Sequence, residues 1–371
     1  MQENCIKNIK SLEAFLSNDN SLENTVVQNI DFRGLNINWQ TIKFGNTTFM
    51  GCRLPLEEEI TLRRKGAYLY NHPQDEDFNP YRDSLYTWRE LLKGWTPEAD
   101  NSVDLRIYKH FSEHKYDPSI HVALCQRIHD NSIDEALRKL VGYDGTGMTK
   151  RKCVAFMGGH GTSRTDEWYI KTAKAAKLLG EAGFFIVSGG GPGIMEATNL
   201  GAYFAGKGND ELNAALKILA RAPHYTDADF NAAALEVLEK FPHGAQSLAI
   251  PTWFYGHEPS NVFATYIAKY FSNSIREDTL LSVALYGIVF SPGSAGTTQE
   301  IFQDATQNHY GTFGYLSPMV FFSSRRYEAE TMIYPLLRQL AYGRDYHDML
   351  CLTDAPENIL RFLQEHPPRK V

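Results

Sequence analysis

The sequence has no long apolar run. No stretch of about 18 consecutive apolar residues, the length that signals a membrane-spanning helix, occurs anywhere in the chain. The first residues, MQENCIKNIKSLEAF, also lack the apolar core of a signal peptide. From these absences we expect no membrane partner, and a cytoplasmic location is the default expectation.

Cysteine and positive charge are scarce as well. The 371 residues include five cysteines, with no CxxC pair, and the formal net charge is −7. Scattered cysteines favour free thiols in a reducing compartment over disulfides or a zinc site. A negative balance disfavours general binding to nucleic acids or anionic membranes. Any anion-binding site must therefore be a local feature of the chain.

Histidine spacing gives no convincing metal site. His110 and His114 are four residues apart, as two ligands on one helix face would be, but no third ligand has a fixed relation to them. Solvated or capping histidines are the favoured interpretation. We therefore expect neither a metal ion nor an organic cofactor.

Length and composition predict two domains. Apolar residues make up 43% of the chain, enough for sizeable cores. The Gly-rich, basic segment GYDGTGMTKRK at 142–152 is the best candidate connector. We expect an N-terminal α+β accessory domain at 1–145 and a second domain at 146–371.

The accessory region contains a five-residue spacing that allows two interpretations. The spaced residues are mostly apolar, which hints at a short pentapeptide-like coil, but two of them are polar or weakly polar. Ordinary antiparallel strands are therefore the favoured interpretation. The residues are Val27, Phe32, Ile37, Ile42, Thr47 and Cys52.

Strands and helices alternate from residue 153 onward. Short apolar runs predict strands at 153–157, 184–187, 247–251, 288–290, 319–322 and 349–352, with helices between them. Helices are also expected at 119–129, 132–141 and 261–273. This alternation predicts an α/β fold with a Rossmann-like parallel sheet flanked by helices. Three turns of small residues, at 158–162, 188–193 and 292–296, should then meet at the carboxyl edge of that sheet.

The third of these turns has the layout of an anion site. It follows the strand Ile288–Phe290 and leads into a helix that begins with Thr297, Thr298 and Gln299. Strand, small-residue turn and helix together point backbone N–H groups at an anion. Glu300 lies one turn into this helix, where a carboxylate would repel the anion. A chemical role for Glu300 beside a bound phosphate is one interpretation, and an N-terminal acid that favours the helix dipole is the other.

The second turn does not match the dinucleotide fingerprint. Gly189, Gly191 and Pro192 depart from GxGxxG, because the third glycine would have to fall at Ile194. An acidic residue follows at Asp210, but no strand precedes it. Binding of NAD(P) is therefore disfavoured.

Two segments together resemble a known family. SGGGPGIMEA (188–197) and PGSAGTTQE (292–300) resemble the paired motifs of the "lonely guy" (LOG) phosphoribohydrolases, often mislabelled lysine decarboxylases. The usual second motif is PGGxGTxxE, and Ser294 replaces its second glycine here. The GIMEA form and the Gly158-Gly159-His160 turn are similar to bacterial nucleotide 5′-monophosphate nucleosidases. The resemblance covers roughly residues 150–345.

The resemblance implies that the domain at 146–371 is a Rossmann nucleotide-binding, catalytic domain, and it implies an activity and a set of site residues. Members of the family hydrolyse the N-glycosidic bond of nucleoside 5′-monophosphates, which would release the free base and ribose 5-phosphate. Glu300 and Arg276 would be catalytic, although Arg276 lies about one residue farther from Pro292 than the family spacing. Gly159 and His160 would border the nucleotide. The residues expected to bind phosphate or ribose are Ser188, Gly189, Gly190, Gly191, Gly193, Glu196, Gly293, Gly296, Thr297 and Thr298.

Some of these assignments have plain structural alternatives. Arg276 could instead form a surface salt bridge with Glu277 or Asp278, and Glu196 and the Gly159-His160 turn could be structural. The whole chain could also be a non-catalytic nucleotide sensor or, less readily, a DNA-binding Rossmann protein, against which the acidic balance argues. The family resemblance further implies a homodimer or a larger homo-oligomer.

Overall fold

The computed structural model describes residues 4–71, 77–145 and 147–371. The chain forms two compact units, Met1–Tyr81 and Arg82–Val371. The predicted boundary at 145/146 lies within the second unit. The helix that precedes this boundary packs on the sheet domain, since the Asp130 carboxylate accepts hydrogen bonds from the backbone N–H groups of Phe271 and Ser272 at 2.9 Å each.

The first unit is built on a parallel sheet. Its strands are hydrogen-bonded in the order β1-β2-β3-β4, and every neighbouring pair is parallel. The prediction of antiparallel strands is therefore wrong. The elements are β1 (Asn4–Ile6), α1 (Ile9–Asp19), β2 (Thr25–Gln28), β3 (Thr48–Cys52), α2 (Leu56–Arg64) and β4 (Tyr68–Asn71).

The five-residue spacing belongs to a coil whose turns stack in register. Residues 21, 26 and 31 pair in parallel with residues 43, 48 and 53, so each partner lies 22 positions later. Between the paired segments the backbone changes direction at residues in the left-handed region, with φ of 55° at Asn24, 54° at Asn29 and 85° at Gly34. We call these positions the corners of the coil. Asparagine and glycine adopt this conformation more readily than other residues. The pentapeptide-like alternative thus describes this region better.

The two polar residues of the five-residue spacing, Thr47 and Cys52, form hydrogen bonds inside the coil. Thr47 is fully buried, and its hydroxyl donates to the Leu22 carbonyl at 2.7 Å. The Cys52 thiol donates to the Val27 carbonyl at 3.4 Å. Because short polar side chains can bond to the backbone of the preceding turn, the two polar positions do not disrupt the core.

Replacement of a corner residue tests the coil directly. Asn29 is exposed and has φ of 54°, so a substitution there acts through the backbone. We expect Asn29→Val to lower the free energy of unfolding by about 1–2 kcal/mol, because a β-branched residue is strained in this conformation. Denaturant titration followed by circular dichroism measures the change. Asn29→Gly is the control and should be close to neutral; equal losses in both variants would contradict the assignment.

The second unit contains the larger sheet and the flanking helices. Before the sheet come α3 (Trp88–Leu91), β5 (Trp95–Thr96), β6 (Ala99–Asp100), α4 (Val103–His114) and α5 (Ile120–Val141). The sheet region comprises β7 (Cys153–Met157), α6 (Glu167–Glu181), β8 (Phe185–Ser188), α7 (Ile194–Tyr203), α8 (Asn209–Leu219), α9 (Phe230–Lys240), β9 (Leu248–Ala249), β10 (Tyr266–Ile267), α10 (Asn273–Val283), β11 (Ile288–Phe290), α11 (Ala295–Tyr310), β12 (Tyr315–Leu316), β13 (Met319–Phe322), a π-helix (Arg325–Glu330), α12 (Ile333–Leu340), a 3₁₀ turn (His347–Met349), β14 (Leu350–Thr353), α13 (Pro356–Glu365) and β15 (Arg369–Lys370).

The larger sheet has seven strands in the order β10-β9-β8-β7-β11-β13-β14. Every neighbouring pair is parallel. The chain runs outward from β7 to β10 and then returns to the opposite side of β7 at β11. The strand order thus reverses between β7 and β11, and such a reversal opens a crevice at the carboxyl ends of the two strands. This is the predicted α/β fold with a Rossmann-like parallel sheet.

Both faces of the sheet are buried, as a parallel sheet requires. On one face, Val154, Phe156 and Val289 pack with residues of α6, α7 and α13 in a single core cluster. On the other, the Phe321 ring lies 5.5 Å from the Phe290 ring and 5.3 Å from the Tyr327 ring, measured between centroids. Because helices cover both faces of the sheet, a ligand can reach it only at the ends of its strands.

The prediction of a helix at 261–273 is wrong. This stretch instead supplies β10, the edge strand, and Tyr270 continues along the sheet by donating to the Pro251 carbonyl at 3.0 Å. Apolar residues at an edge strand can imitate helical periodicity over a short window. The two helices predicted at 119–129 and 132–141 form the single helix α5.

Candidate functional site

The three turns of small residues meet at the crevice between β7 and β11. The Gly159 N–H donates to the Pro292 carbonyl at 3.0 Å, and the Ile194 N–H donates to the Gly159 carbonyl at 3.1 Å. Gly193 has φ of 66°, and a Cβ there would lie 2.4 Å from the Gly159 carbonyl oxygen. Only glycine allows this approach. The sheet topology therefore brings the three predicted turns together at one rim.

The turn after β8 has a partly unsatisfied backbone. Ser188 is fully buried; its hydroxyl donates to Asn199 at 2.6 Å and accepts the Gly190 N–H at 3.0 Å. Its side chain thus shapes the turn instead of facing the crevice. Among the described residues, the Gly191 N–H has only the Met195 sulfur as acceptor, at 3.4 Å. Because a thioether is a weak acceptor, this N–H remains available to a ligand.

Arg276 joins three parts of the site. Its guanidinium donates to the Ile250 carbonyl at 2.8 Å and to the Gly189 carbonyl at 3.2 Å, and it forms an ion pair with Glu300 at 3.4 Å. The side chain is only 9% exposed. The alternative of a surface salt bridge is wrong, since Glu277 bonds to Asn273 and Gln299, and Asp278 bonds to Gln303.

Glu300 is a largely buried carboxylate with one long ion-pair contact among the described residues. Its side chain is 14% exposed, and among the described residues it contacts the Arg276 guanidinium at 3.4 Å. Burial raises the pKa of Glu300 above its usual value, Arg276 opposes that rise, and nearby Glu277 adds to it. A carboxylate of raised pKa is suited to accept a proton from water. The structure thus places the two predicted catalytic residues in contact.

The turn before α11 presents the N-terminus of a long helix. Gly293 lies against Thr297, since a Cβ on this glycine would fall 2.1 Å from the threonine hydroxyl. Gly296 is exposed, whereas Thr297 is buried. Thr298 uses its hydroxyl to bond the Ser294 carbonyl at 3.0 Å. The backbone N–H groups of the first helical turn, instead of the Thr298 hydroxyl, are therefore the donors available to an anion.

Glu196 does not lie at the rim. Both of its oxygens bind the Arg164 guanidinium, at 2.8 and 2.5 Å, and Tyr169 also donates to it at 2.8 Å. Arg164 further donates to the carbonyls of Ala222 and Phe230. A carboxylate saturated in this way has no oxygen left for a ribose, so its structural alternative fits the observed contacts. We do not include Glu196 in the proposed ligand site.

Gly159 and His160 border the crevice from the β7 side. His160 is exposed, and its ring centroid lies 6.0 Å from that of Tyr225. This position is compatible with the predicted nucleotide edge. No contact in the structure assigns His160 a chemical role.

Two charged residues at the rim were missed from the sequence. Arg326 follows β13, and its guanidinium donates to the Gly293 carbonyl at 2.7 Å, while its buried Nε has no partner among the described residues. Glu258 follows β9, and its Oε2 lies 2.6 Å from the place that a Cβ on Gly191 would occupy. The signal was available in principle, because the carboxyl ends of β9 and β13 lie at the same edge as the glycine turns.

Two features are absent from the part of the chain that the structure describes. No group of three or more His, Cys, Asp or Glu side chains there could hold a metal ion. No helix among those residues has the length and apolar character to cross a membrane.

The crevice combines groups that attract an anion with a carboxylate. Free backbone N–H groups and Arg326 supply positive potential at one end of the crevice. Glu300, held by Arg276, supplies a carboxylate within the same crevice. A group that binds an anion and a carboxylate that faces a developing cation can therefore act on one ligand.

Comparisons with known proteins give only a distant structural likeness. No protein-family model matches the chain, and no curated protein matches its sequence. Similar solved structures include a molybdenum cofactor carrier protein of Chlamydomonas reinhardtii, 12% identical over 58% of this chain and 98% of that chain, with a TM-score of 0.38. Another is a molybdenum cofactor binding protein of the phototrophic bacterium Rippkaea orientalis, 10% identical over 59% and 98%, with a TM-score of 0.37. These values carry no argument about ligand or activity.

Asp304, one helical turn beyond Glu300 on α11, should make the stability of the protein depend on pH. It is 2% exposed, its Oδ2 has no partner among the described residues, and burial raises its pKa to about 8. The unfolded chain loses this proton near the ordinary value of 3.8, so the protein should lose stability as pH rises from about 4 to 8.

We expect Asp304→Asn to remove this pH-dependent loss. The melting temperature of the variant should exceed that of the parent at pH 8 by a larger margin than at pH 5. Thermal unfolding at the two pH values measures this difference. A margin that is the same at both values would show that Asp304 is ionised in the folded protein.

Proposed function

We propose that this chain hydrolyses the N-glycosidic bond of nucleoside 5′-monophosphates, releasing the free base and ribose 5-phosphate. One observation carries the proposal: the buried Glu300–Arg276 pair lies at the crevice where the glycine turns and the α11 N-terminus meet. The resemblance of residues 188–197 and 292–300 to the LOG motifs supports the same activity, and we propose that the second unit is related to that family.

The phosphate would bind at the start of α11. The N–H groups of Ala295, Gly296 and Thr297 belong to the first turn of a 16-residue helix and have no partner within it. Arg326 is held at this turn by its bond to the Gly293 carbonyl, and its Nη1 lies 3.6 Å from a Glu330 oxygen. Its buried Nε, which has no partner among the described residues, is the donor left for the anion. Binding energy from the phosphate would then be used at the distant C1′ atom.

Glu300 would act at C1′. As the C1′–N bond breaks, its electron pair leaves with the base and the ribose acquires oxocarbenium character. The Glu300 carboxylate stabilises this positive charge and accepts a proton from the attacking water, while the base takes up a proton from solvent. Arg276 fixes the carboxylate and opposes the rise in its pKa that burial causes. One water is consumed and one C–N bond is broken for each nucleotide.

Removal of the Glu300 charge tests the catalytic assignment. Glu300→Gln keeps the shape of the side chain but removes the negative charge and the base. We expect base release to fall on the order of 100-fold or more. Nucleotide binding should persist or tighten, because a repulsion of the phosphate is removed. Base release by chromatography and nucleotide affinity by calorimetry, on the same preparation, measure the two effects.

The matched control for this variant is Glu239→Gln. Glu239 is an exposed carboxylate on α9, so this change alters net charge equally without touching the crevice. It should leave both activity and affinity unchanged. Near-normal turnover of Glu300→Gln would end the catalytic assignment, and a variant that neither binds nor folds would show a structural role instead.

Phosphate dependence tests the other end of the site. A nucleoside monophosphate should be cleaved far better than its nucleoside, and Arg326→Gln should reduce kcat/KM for the monophosphate on the order of tenfold or more. The same variant should have little effect on the nucleoside. Initial rates with AMP and adenosine measure both ratios. Equal turnover of the two substrates by the parent protein would contradict phosphate anchoring.

A non-catalytic nucleotide sensor is the second candidate function. The contact that favours it is the Arg276–Glu300 pair itself, because a carboxylate already bound to a guanidinium is less free to activate water. A panel of nucleoside monophosphates separates the two candidates. Tight binding without release of any base would support the sensor.

The proposal also includes self-association. The family resemblance implies a homodimer or a larger homo-oligomer, and the stretch at about 261–309 is the part of the chain for which we propose this contact. Light scattering at micromolar concentration distinguishes an oligomer from a monomer.

A further inference from the structure

We infer that Glu258 accepts hydrogen bonds from the 2′- and 3′-hydroxyls of the sugar and makes the site selective for ribonucleotides over 2′-deoxyribonucleotides. This inference rests on the proposed function and assigns a part of the same crevice. The segment that carries it is the loop after β9, residues 252–261.

Glu258 is an unpaired carboxylate placed over a glycine turn. Its Oε2 lies 2.6 Å from the position of a Cβ on Gly191. Among the residues that the structure describes, neither of its oxygens has a hydrogen-bond or ion-pair partner in the protein, and the side chain is only partly exposed. A carboxylate in that position can accept hydrogen bonds from donors on a ligand.

The loop holds Glu258 in place through a buried polar network. On one side of it the Trp253 indole N–H donates to Asp104 at 2.7 Å, and on the other the Ser260 hydroxyl donates to the same carboxylate at 2.7 Å. Lys269 neutralises Asp104 at 2.7 Å. Because both ends of the loop are fixed and Pro259 restricts the backbone next to it, the backbone that carries Glu258 is preorganised.

Charge decides which part of a nucleotide lies beside Glu258. A phosphate near this carboxylate would be repelled, whereas the α11 N-terminus and Arg326 attract a phosphate at the other turn. The two turns therefore have different tasks, with the phosphate at 293–297 and the sugar at 189–191. Sugar hydroxyls carry donors that a carboxylate accepts, and the Gly191 N–H can donate to a hydroxyl oxygen in return.

The geometry predicts discrimination at the 2′ position. A cis-diol can donate to both oxygens of one carboxylate, whereas a 2′-deoxy sugar can donate only once and leaves one acceptor unpaired. Loss of a hydrogen bond to a charged group typically weakens binding on the order of tenfold or more. Preference for the ribo form should therefore depend on Glu258.

Binding of two sugar phosphates tests this without requiring turnover. The parent protein should bind ribose 5-phosphate on the order of tenfold more tightly than 2-deoxyribose 5-phosphate, as measured by calorimetry. Glu258→Gln should bring this ratio close to one, mainly by weakening ribose 5-phosphate. Glu239→Gln should keep the parent ratio. Inorganic phosphate should bind Glu258→Gln as well as the parent or better, which also reports that the site is folded.

Further outcomes separate this inference from the hydrolase proposal. A parent ratio near one, or a ratio that survives in Glu258→Gln, overturns the role of Glu258. If Glu258→Gln fails to bind phosphate, Glu258→Asp replaces it, and a parent-like ratio in that shortened variant also overturns the role. If the parent protein releases base but Glu258→Gln keeps the parent ratio of affinities for the two sugar phosphates, only the role of Glu258 is overturned. A Glu258-dependent ratio without base release from any monophosphate defeats the hydrolase proposal and leaves this inference standing.

Discussion

The architecture of the rim depends on one arginine. Arg276 reaches from α10 to the end of β9, to the glycine turn after β8 and to Glu300 on α11. These elements are far apart in the chain and are joined here by one guanidinium with a fixed fork of donors. Lysine could not satisfy the same set, because its charge is a point and its donors are not planar. The position of the carboxylate relative to the glycine turn is thus set by a single side chain.

The same contact sets the electrostatic state of the site. Burial alone favours the protonated form of Glu300, and Glu277 adds to that tendency, while Arg276 favours the ionised form. Because the ion pair is long, at 3.4 Å, other nearby charges can still change the pKa of Glu300. A bound phosphate would raise this pKa, and positive charge that grows on a ribose would lower it. A carboxylate with one long contact responds to a nearby charge more readily than one that is bound on both oxygens.

Much of the second unit could be predicted from the sequence, and most of the first could not. The strands at 153–157 and 319–322 were located to the residue, because buried parallel strands are short continuous apolar runs with clear turn residues after them. Residues 261–273 were assigned to the wrong element because edge pairing overrode a helix-like pattern. In the first unit, spacing by five indicated a coil, but polar Thr47 and Cys52 argued against it. Their internal bonds to backbone carbonyls, which sequence does not display, resolve that conflict.

The two glutamates that follow glycine turns show why site residues are harder to predict than elements. Glu196 and Glu300 both lie near the start of a helix after such a turn, and each pairs with an arginine. Glu196 is bound on both oxygens by Arg164 and again by Tyr169, and its side chain is 4% exposed. Glu300 has one long contact and is 14% exposed. The motif places each acid, but the partners come from 32 and 24 positions away and decide whether it is saturated or available. At Glu300, carboxylate oxygens with unused acceptor capacity lie near backbone N–H groups that have no acceptor within their helix. A ligand that offers both donors and acceptors can satisfy both sets of groups.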